Sequence, residues 1–152
     1  MQITPHFSWA EMTITEVRSL QVQNRNEAVN RKGDLEALCL LLEDVRQLIG
    51  GKPIRIHSGF RCKTLNTKIG GSKKSQHILG QAADFSVSGV DLREIFDLIK
   101  GSSLKFGQLI LEDGDGDGVP TWIHISLGDP WRPALISQQV LFFDGKSYHP
   151  VT

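Results

Sequence analysis

Apolar residues recur at helical spacing over one long run and at every second position over several short ones. From Asp34 onward, Leu35, Leu38, Cys39, Leu42, Val45 and Ile49 fall on one stripe, and Gly50-Gly51 ends the run. Asp34 is a residue type suited to capping that helix, and the stripe reads as a core-facing surface. A second helix is predicted from Asp91, with Glu94 three positions on, Leu92, Ile95, Phe96 and Ile99 on one face, and Gly101 as its stop. Phe7 to Met12 reads as a helix start, because Ser8 and Glu11 have capping-box spacing and Phe7 with Met12 fits a hydrophobic staple. Residues 13–33 are polar and weakly patterned, which predicts an ordered loop with short turns. A short helix is expected around Lys63 to Lys68, followed by a flexible Gly70-Gly71-Ser72 loop.

Alternation with period two marks strands at Pro53–His57, Ala82–Val87, Gln108–Glu112 and Thr121–Leu127, with one more near Gln139 to Phe143. Helices come first, then strands with one inserted helix, so the fold class is α+β in a single domain over residues 1–152. Strand parity sorts side chains by face. Ala83, Phe85 and Val87 form one apolar set, which leaves Asp84 on the opposite face. Ile123, Ile125 and Leu127 likewise leave Trp122, His124 and Ser126 opposite, and Leu109 with Leu111 leaves Gln108, Ile110 and Glu112. If these strands share a sheet, Asp84, His124 and Glu112 project together, a result that a one-residue shift in any strand would destroy.

Composition narrows the classes. At 152 residues the chain can bury a core without disulfide staples, and 39% hydrophobic with 22% charged residues is ordinary for a globular protein. Lys+Arg and Asp+Glu are both 17, so no electrostatic nucleic-acid or membrane binder is indicated. Cys39 and Cys62 lack zinc-finger spacing; Cys39, on the apolar stripe, reads as a buried free thiol, with a disulfide between the two as the alternative. The opening MQITPHFSWAEM has no basic segment followed by an apolar run, so no secretory signal is expected, and no stretch reaches membrane-span length. Synthesis in the cytoplasm is the expectation.

The chemistry concentrates in Ser75–Asp84, SQHILGQAAD, and in the later strand containing His124. His77, Asp84 and His124 read as three ligands of one zinc ion with water in the fourth place, the open arrangement of a catalytic rather than a structural site. Gly80 supplies a turn that can swing His77 back over Asp84, with the small Ala82 and Ala83 leaving room. Taken singly, each residue also fits an ordinary role: a surface or satisfied core histidine, or an aspartate in an ion pair. His6, His57 and His149 are assigned to such roles. The loop DGDGDGVP between two strands has the first half of an EF-hand pattern, but its twelfth position is His124 rather than glutamate, so a hairpin loop is the better reading.

Several elements in order resemble one family. SGFRCKTLNTKIGGSKKSQHILGQAADF, then QLILE and WIHIS, resemble the zinc D-Ala-D-Ala carboxypeptidase family, with phage L-alanyl-D-glutamate endopeptidases and the hedgehog signalling domain as relatives. The likeness runs from Phe7 to about Ser126; the tail after Leu127 has no match. It implies a small α+β fold around an antiparallel sheet, zinc on His77, Asp84 and His124, and hydrolysis of stem peptides in bacterial peptidoglycan. It further implies that Arg61 binds substrate carboxylate or carbonyl and that Ser75, otherwise a turn cap, hydrogen-bonds substrate. Many relatives carry the general base three residues before the last histidine, where this chain has Thr121. Glu112 matches the alternative seen in other members, with Asp113, Asp115 and Asp117 as lesser candidates. The bond cut, terminal D-Ala-D-Ala or internal L-Ala-D-Glu, stays open, as do oligomeric state and bacterial or phage origin. Lack of an export signal fits a phage lysin that a partner pore releases to the cell wall. The rival class is a non-catalytic zinc module of the same fold that binds the wall or builds a virion, and a calcium-regulated domain is a third.

Overall fold

A computed structural model describes residues 1–128 and 138–152. A two-stranded pair, β1 (Gln2–Thr4) and β2 (Phe7–Ser8), opens the chain and leads into the short helix α1 (Trp9–Met12). The expected capping box is present: Glu11 N–H donates to Ser8 Oγ at 3.1 Å and Ser8 N–H donates to the Glu11 carboxylate at 3.0 Å. Phe7 and Met12 are both buried in the core.

The stretch 13–33 departs from the expected loop. It contains a 3₁₀ turn at Arg18–Leu20, the helix α2 (Gln21–Glu27) and a second 3₁₀ turn at Ala28–Arg31. Its apolar stripe is nearly missing because the residue α2 buries is a polar one, Asn24. Helix α3 (Lys32–Leu48) then begins two residues before the predicted cap. Asp34 lies inside the first turn, where its carboxylate complements the helix dipole and accepts a hydrogen bond from Gln81 Nε2 at 3.1 Å. The predicted stripe is buried along α3, and each fully buried leucine contributes roughly 1.5–3 kcal/mol relative to an exposed one.

Strand β3 (Arg55–Ser58), helix α4 (Lys63–Lys68), β4 (Ala82–Ser86), α5 (Leu92–Lys100), β5 (Gln108–Glu112), β6 (Trp122–Ser126) and β7 (Gln139–Phe143) follow within a residue or two of the predicted bounds. The sequence reading omitted β1, β2 and the final strand β8 (Tyr148–Pro150), each of two or three residues and too short to show a period. Asp91 caps α5 by accepting from Arg93 N–H at 2.9 Å. The six-stranded sheet runs β3-β4-β6-β5-β7-β8, antiparallel except for the parallel β5–β7 pair, and the class is mixed α+β.

Ala83, Phe85, Leu109, Leu111, Ile123 and Ile125 turn to one face of the sheet, against α5 and the core that α3 also enters. Ala83 therefore packs in the core on the face away from Asp84, and of the two alanines only Ala82 shares the aspartate's side. Cys39 and Cys62 are both buried free thiols, and burial pushes the Cys39 thiol up to about 12. Among the described residues, no helix is long and apolar enough to cross a membrane.

Candidate metal centre

Strand register places two of the predicted residues side by side. Asp84 on β4 pairs with His124 on β6, and His124 pairs on its other flank with Ile110 of β5. Glu112 lies two residues along β5, directly opposite Trp122. The parity predicted for Asp84, His124 and Glu112 is thus the parity found.

His77 reaches the same point from the irregular segment between α4 and β4. Ser75 Oγ accepts its backbone N–H at 3.2 Å, so the turn-cap role foreseen for Ser75 is present, while the residue also lines the cavity. Gly80 ends the turn at φ +69°, a left-handed conformation that glycine takes without steric penalty. Gln76 anchors the segment by donating to Leu127 C=O at 2.8 Å. The last hold is on the ring itself: His77 Nδ1 lies 2.7 Å from Gly59 C=O, an acceptor only, so Nδ1 carries the hydrogen. Gly59 is required there, because a Cβ at this position would sit 2.5 Å from Met12 C=O.

The consequence falls on Nε2. It faces Asp84 Oδ2 at 3.3 Å while Asp84 Oδ1 lies 2.9 Å from His124 Nδ1. Burial favours the neutral His77 imidazole and outweighs the pull of Asp84. For Asp84, burial opposes charge, but the His77 and His124 interactions prevail and hold the carboxyl far below its usual range. The attraction to His77 that lowers Asp84 exists only for the protonated ring; in the neutral ring that burial favours, Nε2 turns a lone pair, with no hydrogen, toward a carboxylate oxygen. That pairing is repulsive unless a cation lies between. Ligand atoms of His77, Asp84 and His124 all lie within 4.8 Å of one another, and the donor set of two imidazoles and a carboxylate suits a metal such as zinc. The Gly59 carbonyl fixing the distal nitrogen is what metal-binding histidines ordinarily have.

Around this cluster lies a cavity of about 460 Å³ whose lining includes Arg61, Ser75, Glu112 and the three cluster residues. Burial, then the charge of Asp84, raise the Glu112 carboxyl above its usual range, although Trp122 Nε1 donates to it at 2.7 Å. Arg61 has a buried Nε without a hydrogen-bond partner among the described residues, and no carboxylate there pairs with its guanidinium. Its backbone N–H donates to His77 C=O at 3.1 Å, which ties the two residues together.

Thr121, at the position where many relatives carry an acid, closes the β5–β6 loop. Its N–H donates to Glu112 C=O at 2.7 Å and its Oγ1 accepts from Gly114 N–H at 3.2 Å. Asp113, Asp115 and Asp117 stand away from the cavity. Asp113 is buried, with its two carboxylate oxygens accepting the N–H groups of Asp117 and Gly118, which makes it the organiser of the loop. His6 and His149 pair with Glu43 and Asp144, the first across 37 residues and the second across five, and neither histidine lines the cavity. His57 lies 2.7 Å from Ser86 Oγ, and its ring also flanks Trp122 at 5.7 Å between centroids.

Three supports had no sequence signal strong enough to find them. Asn24 donates to Thr13 C=O and Phe60 C=O and accepts from Cys62 N–H, bracing the chain on both sides of Arg61. Trp122 holds Glu112. Tyr148, beyond the part of the chain with any resemblance, lines the cavity. Only the W-x-H spacing offered a clue, and it pointed to His124 rather than to the indole.

The chain belongs to the peptidase M15 family, whose model matches residues 5–126. Within it, a 43-residue segment is 44% identical to the zinc D-Ala-D-Ala carboxypeptidase of Streptomyces albus G. That segment is 28% of this chain and only 17% of the relative's length.

Proposed function

We propose that the protein is a zinc-dependent peptidase hydrolysing peptide bonds in the stem peptides of bacterial peptidoglycan, as a D-Ala-D-Ala carboxypeptidase or an L-Ala-D-Glu endopeptidase. The observation that carries the reading is the convergence, in one cavity, of the His77–Asp84–His124 cluster, a carboxyl of raised pKa and an arginine whose buried Nε has no hydrogen-bond partner among the described residues. The family match and the zinc carboxypeptidase relative support the same chemistry. The fold named by the resemblance, that of the D-Ala-D-Ala peptidases and the hedgehog domain, belongs to this reading, as does a single domain over residues 1–152.

In this reading His77, Asp84 and His124 hold one zinc ion. When bound, zinc supplies Lewis acidity toward a carbonyl oxygen and can lower the pKa of water from about 15.7 to about 7. Glu112 takes a proton from the attacking water and returns it to the leaving amine. Its raised pKa suits both halves of that task, since a base near the working pH can also act as an acid. Such a group contributes on the order of 10²–10⁴-fold. Trp122 keeps one Glu112 oxygen engaged and so fixes where the other points. Arg61, whose planar fork matches a carboxylate or carbonyl, binds and orients the peptide. Ser75 offers a hydroxyl near the same place.

Digestion of purified peptidoglycan with and without chelator, read by product mass, tests the reading and identifies the bond. Zinc bound one per chain, with products lost on chelation and restored by zinc, is the expected result. Zinc retained with no products, and no difference between wild type and Glu112→Gln, would instead favour a non-catalytic wall-binding module. Absence of bound zinc would remove both.

A further inference from the structure

Two cross-strand rows run side by side on the site face of the sheet. One is Asp84–His124–Ile110–Leu141 and the other Trp122–Glu112–Phe143–Tyr148, crossing in each case from the metal-candidate strands into the C-terminal hairpin β7–β8. Beyond the cluster the first row becomes an apolar floor, with Ile110 and Leu141 5% and 9% exposed. The second becomes an aromatic pair, Phe143 and Tyr148, with ring centroids 4.7 Å apart. Leu141 and Tyr148 line the same cavity as His77 and Glu112. Both follow residue 126, where the family match ends.

We infer that the hairpin β7–β8 builds a substrate subsite, in which Ile110 and Leu141 receive a small apolar side chain of the peptide and the Tyr148 hydroxyl donates to a backbone carbonyl of the same peptide. The inference rests on the peptidase reading above and adds to it which side of the cleft discriminates between substrates. Distances fit the occupant. Neighbouring strands are about 4.8 Å apart, so Ile110 lies roughly one strand and Leu141 roughly two from His124. An extended peptide advances about 3.3 Å per residue, which places the bound side chain within about three residues of the scissile bond. The methyl of an alanine fits a floor of two branched aliphatic residues, and stem peptides carry alanines at such separations. Tyr148 is 55% exposed and so presents both a ring face and a hydroxyl to an incoming chain. Burial, then the carboxylates of Glu112 and Asp84, push its phenol upward, so it stays protonated as a donor. Arg61 follows β3 at the other edge of the sheet, so the peptide is held from both ends of the cleft.

The test uses the full chain loaded with zinc and the pentapeptide L-Ala-γ-D-Glu-L-Lys-D-Ala-D-Ala, together with shorter peptides lacking residues on one side of the cleaved bond. Tyr148→Ala and Leu141→Ala are expected to raise KM about tenfold with kcat changed less than about twofold, the scale of losing one contact residue that the bound peptide covers. Tyr148→Phe, which keeps the exposed ring and the fold, should show a smaller rise of about threefold. Calorimetric binding of the pentapeptide to Glu112→Gln protein carrying the same changes should weaken by the same factors, with zinc stoichiometry unchanged. The penalties should vanish with the peptide shortened on the hairpin side and persist with the one shortened on the other. Variants matching wild type in KM and binding, or penalised equally on both short peptides, would overturn the subsite while leaving the peptidase reading intact. A wild-type protein that holds zinc but neither binds nor cleaves the pentapeptide overturns both.

Discussion

Asn24 is expected to be one of the costliest single positions in the molecule, although it lies on a seven-residue helix in a stretch that reads as loop. Its side chain is fully buried and makes three hydrogen bonds to backbone: to Thr13 C=O at 2.9 Å, to Phe60 C=O at 3.0 Å and from Cys62 N–H at 2.7 Å. Asn24→Ala would leave Thr13 C=O with a remaining donor, Gln21 Nε2, but would strand the Phe60 carbonyl and the Cys62 amide. Each stranded buried group costs about 1–3 kcal/mol, so the central expectation is a loss of about 3–4 kcal/mol. For a chain of this length that corresponds to a fall in Tm of roughly 6–15 °C. Calorimetry and urea unfolding at constant m-value would measure it. Asn24→Asp keeps the acceptor for Cys62 N–H but turns a buried carboxylate oxygen toward the Thr13 and Phe60 carbonyls, so it should cost at least as much as the alanine variant at neutral pH. Because Arg61 lies between the two stranded groups, the alanine variant should also lose turnover on wall peptides at temperatures where it is fully folded. A loss below about 1 kcal/mol would refute the reasoning, since it would mean that water or a shifted backbone satisfies both groups at almost no cost.

Three further outcomes follow from individual contacts. Trp122→Phe removes a hydrogen bond that stabilises the charged form of Glu112, so the Glu112 pKa should rise further and the acid limb of the pH–activity profile should move to higher pH; an unmoved limb would detach Glu112 from that limb. Cys39, buried and with a thiol pushed up to about 12, should resist an aromatic disulfide reagent in the native protein and react only on unfolding, as followed by absorbance. Burial acts to raise Glu43, but hydrogen bonds from the backbone and ring of His6 prevail and lower it from 4.5, so its contribution is fully present above that value and is lost as pH falls through the depressed pKa. Glu43→Gln should therefore flatten the acid side of the Tm-versus-pH curve, and an unchanged slope would count against the pairing.

What could be read from the sequence divides according to how local its cause is. Asp84, His124 and Glu112 fall on one face because a strand alternates with period two and each has apolar neighbours that mark the core side, which requires no knowledge of the partner strands. Their register was not available from alternation. It depends on Thr121 closing the loop after Glu112, through bonds from its N–H and to its hydroxyl oxygen, and those come from the loop's own geometry. The bounds of α4 and α5 were legible for the same local reasons, as was the capping box at Ser8. Asp34 lies within the first turn rather than at the cap because an acidic residue suits either place, and here it bonds Gln81, 47 residues away.

The state of His77 shows where such reading must stop. Its place in SQHILGQAAD could be recognised, but whether it offers a lone pair is decided by Gly59, 18 residues earlier, whose carbonyl takes the Nδ1 hydrogen. Gly59 in turn is constrained by the close approach of Met12 C=O, at the end of the first short helix. A side chain at residue 59 would push these strands of backbone apart, release the His77 ring and free it to flip. Gly59→Ala should accordingly lower zinc affinity without touching any proposed ligand, measurable by competition with a chromophoric chelator. Unchanged affinity in a folded variant would show that Asp84 and His124 alone orient the imidazole, and that the glycine before Phe60 and Arg61 serves only the turn.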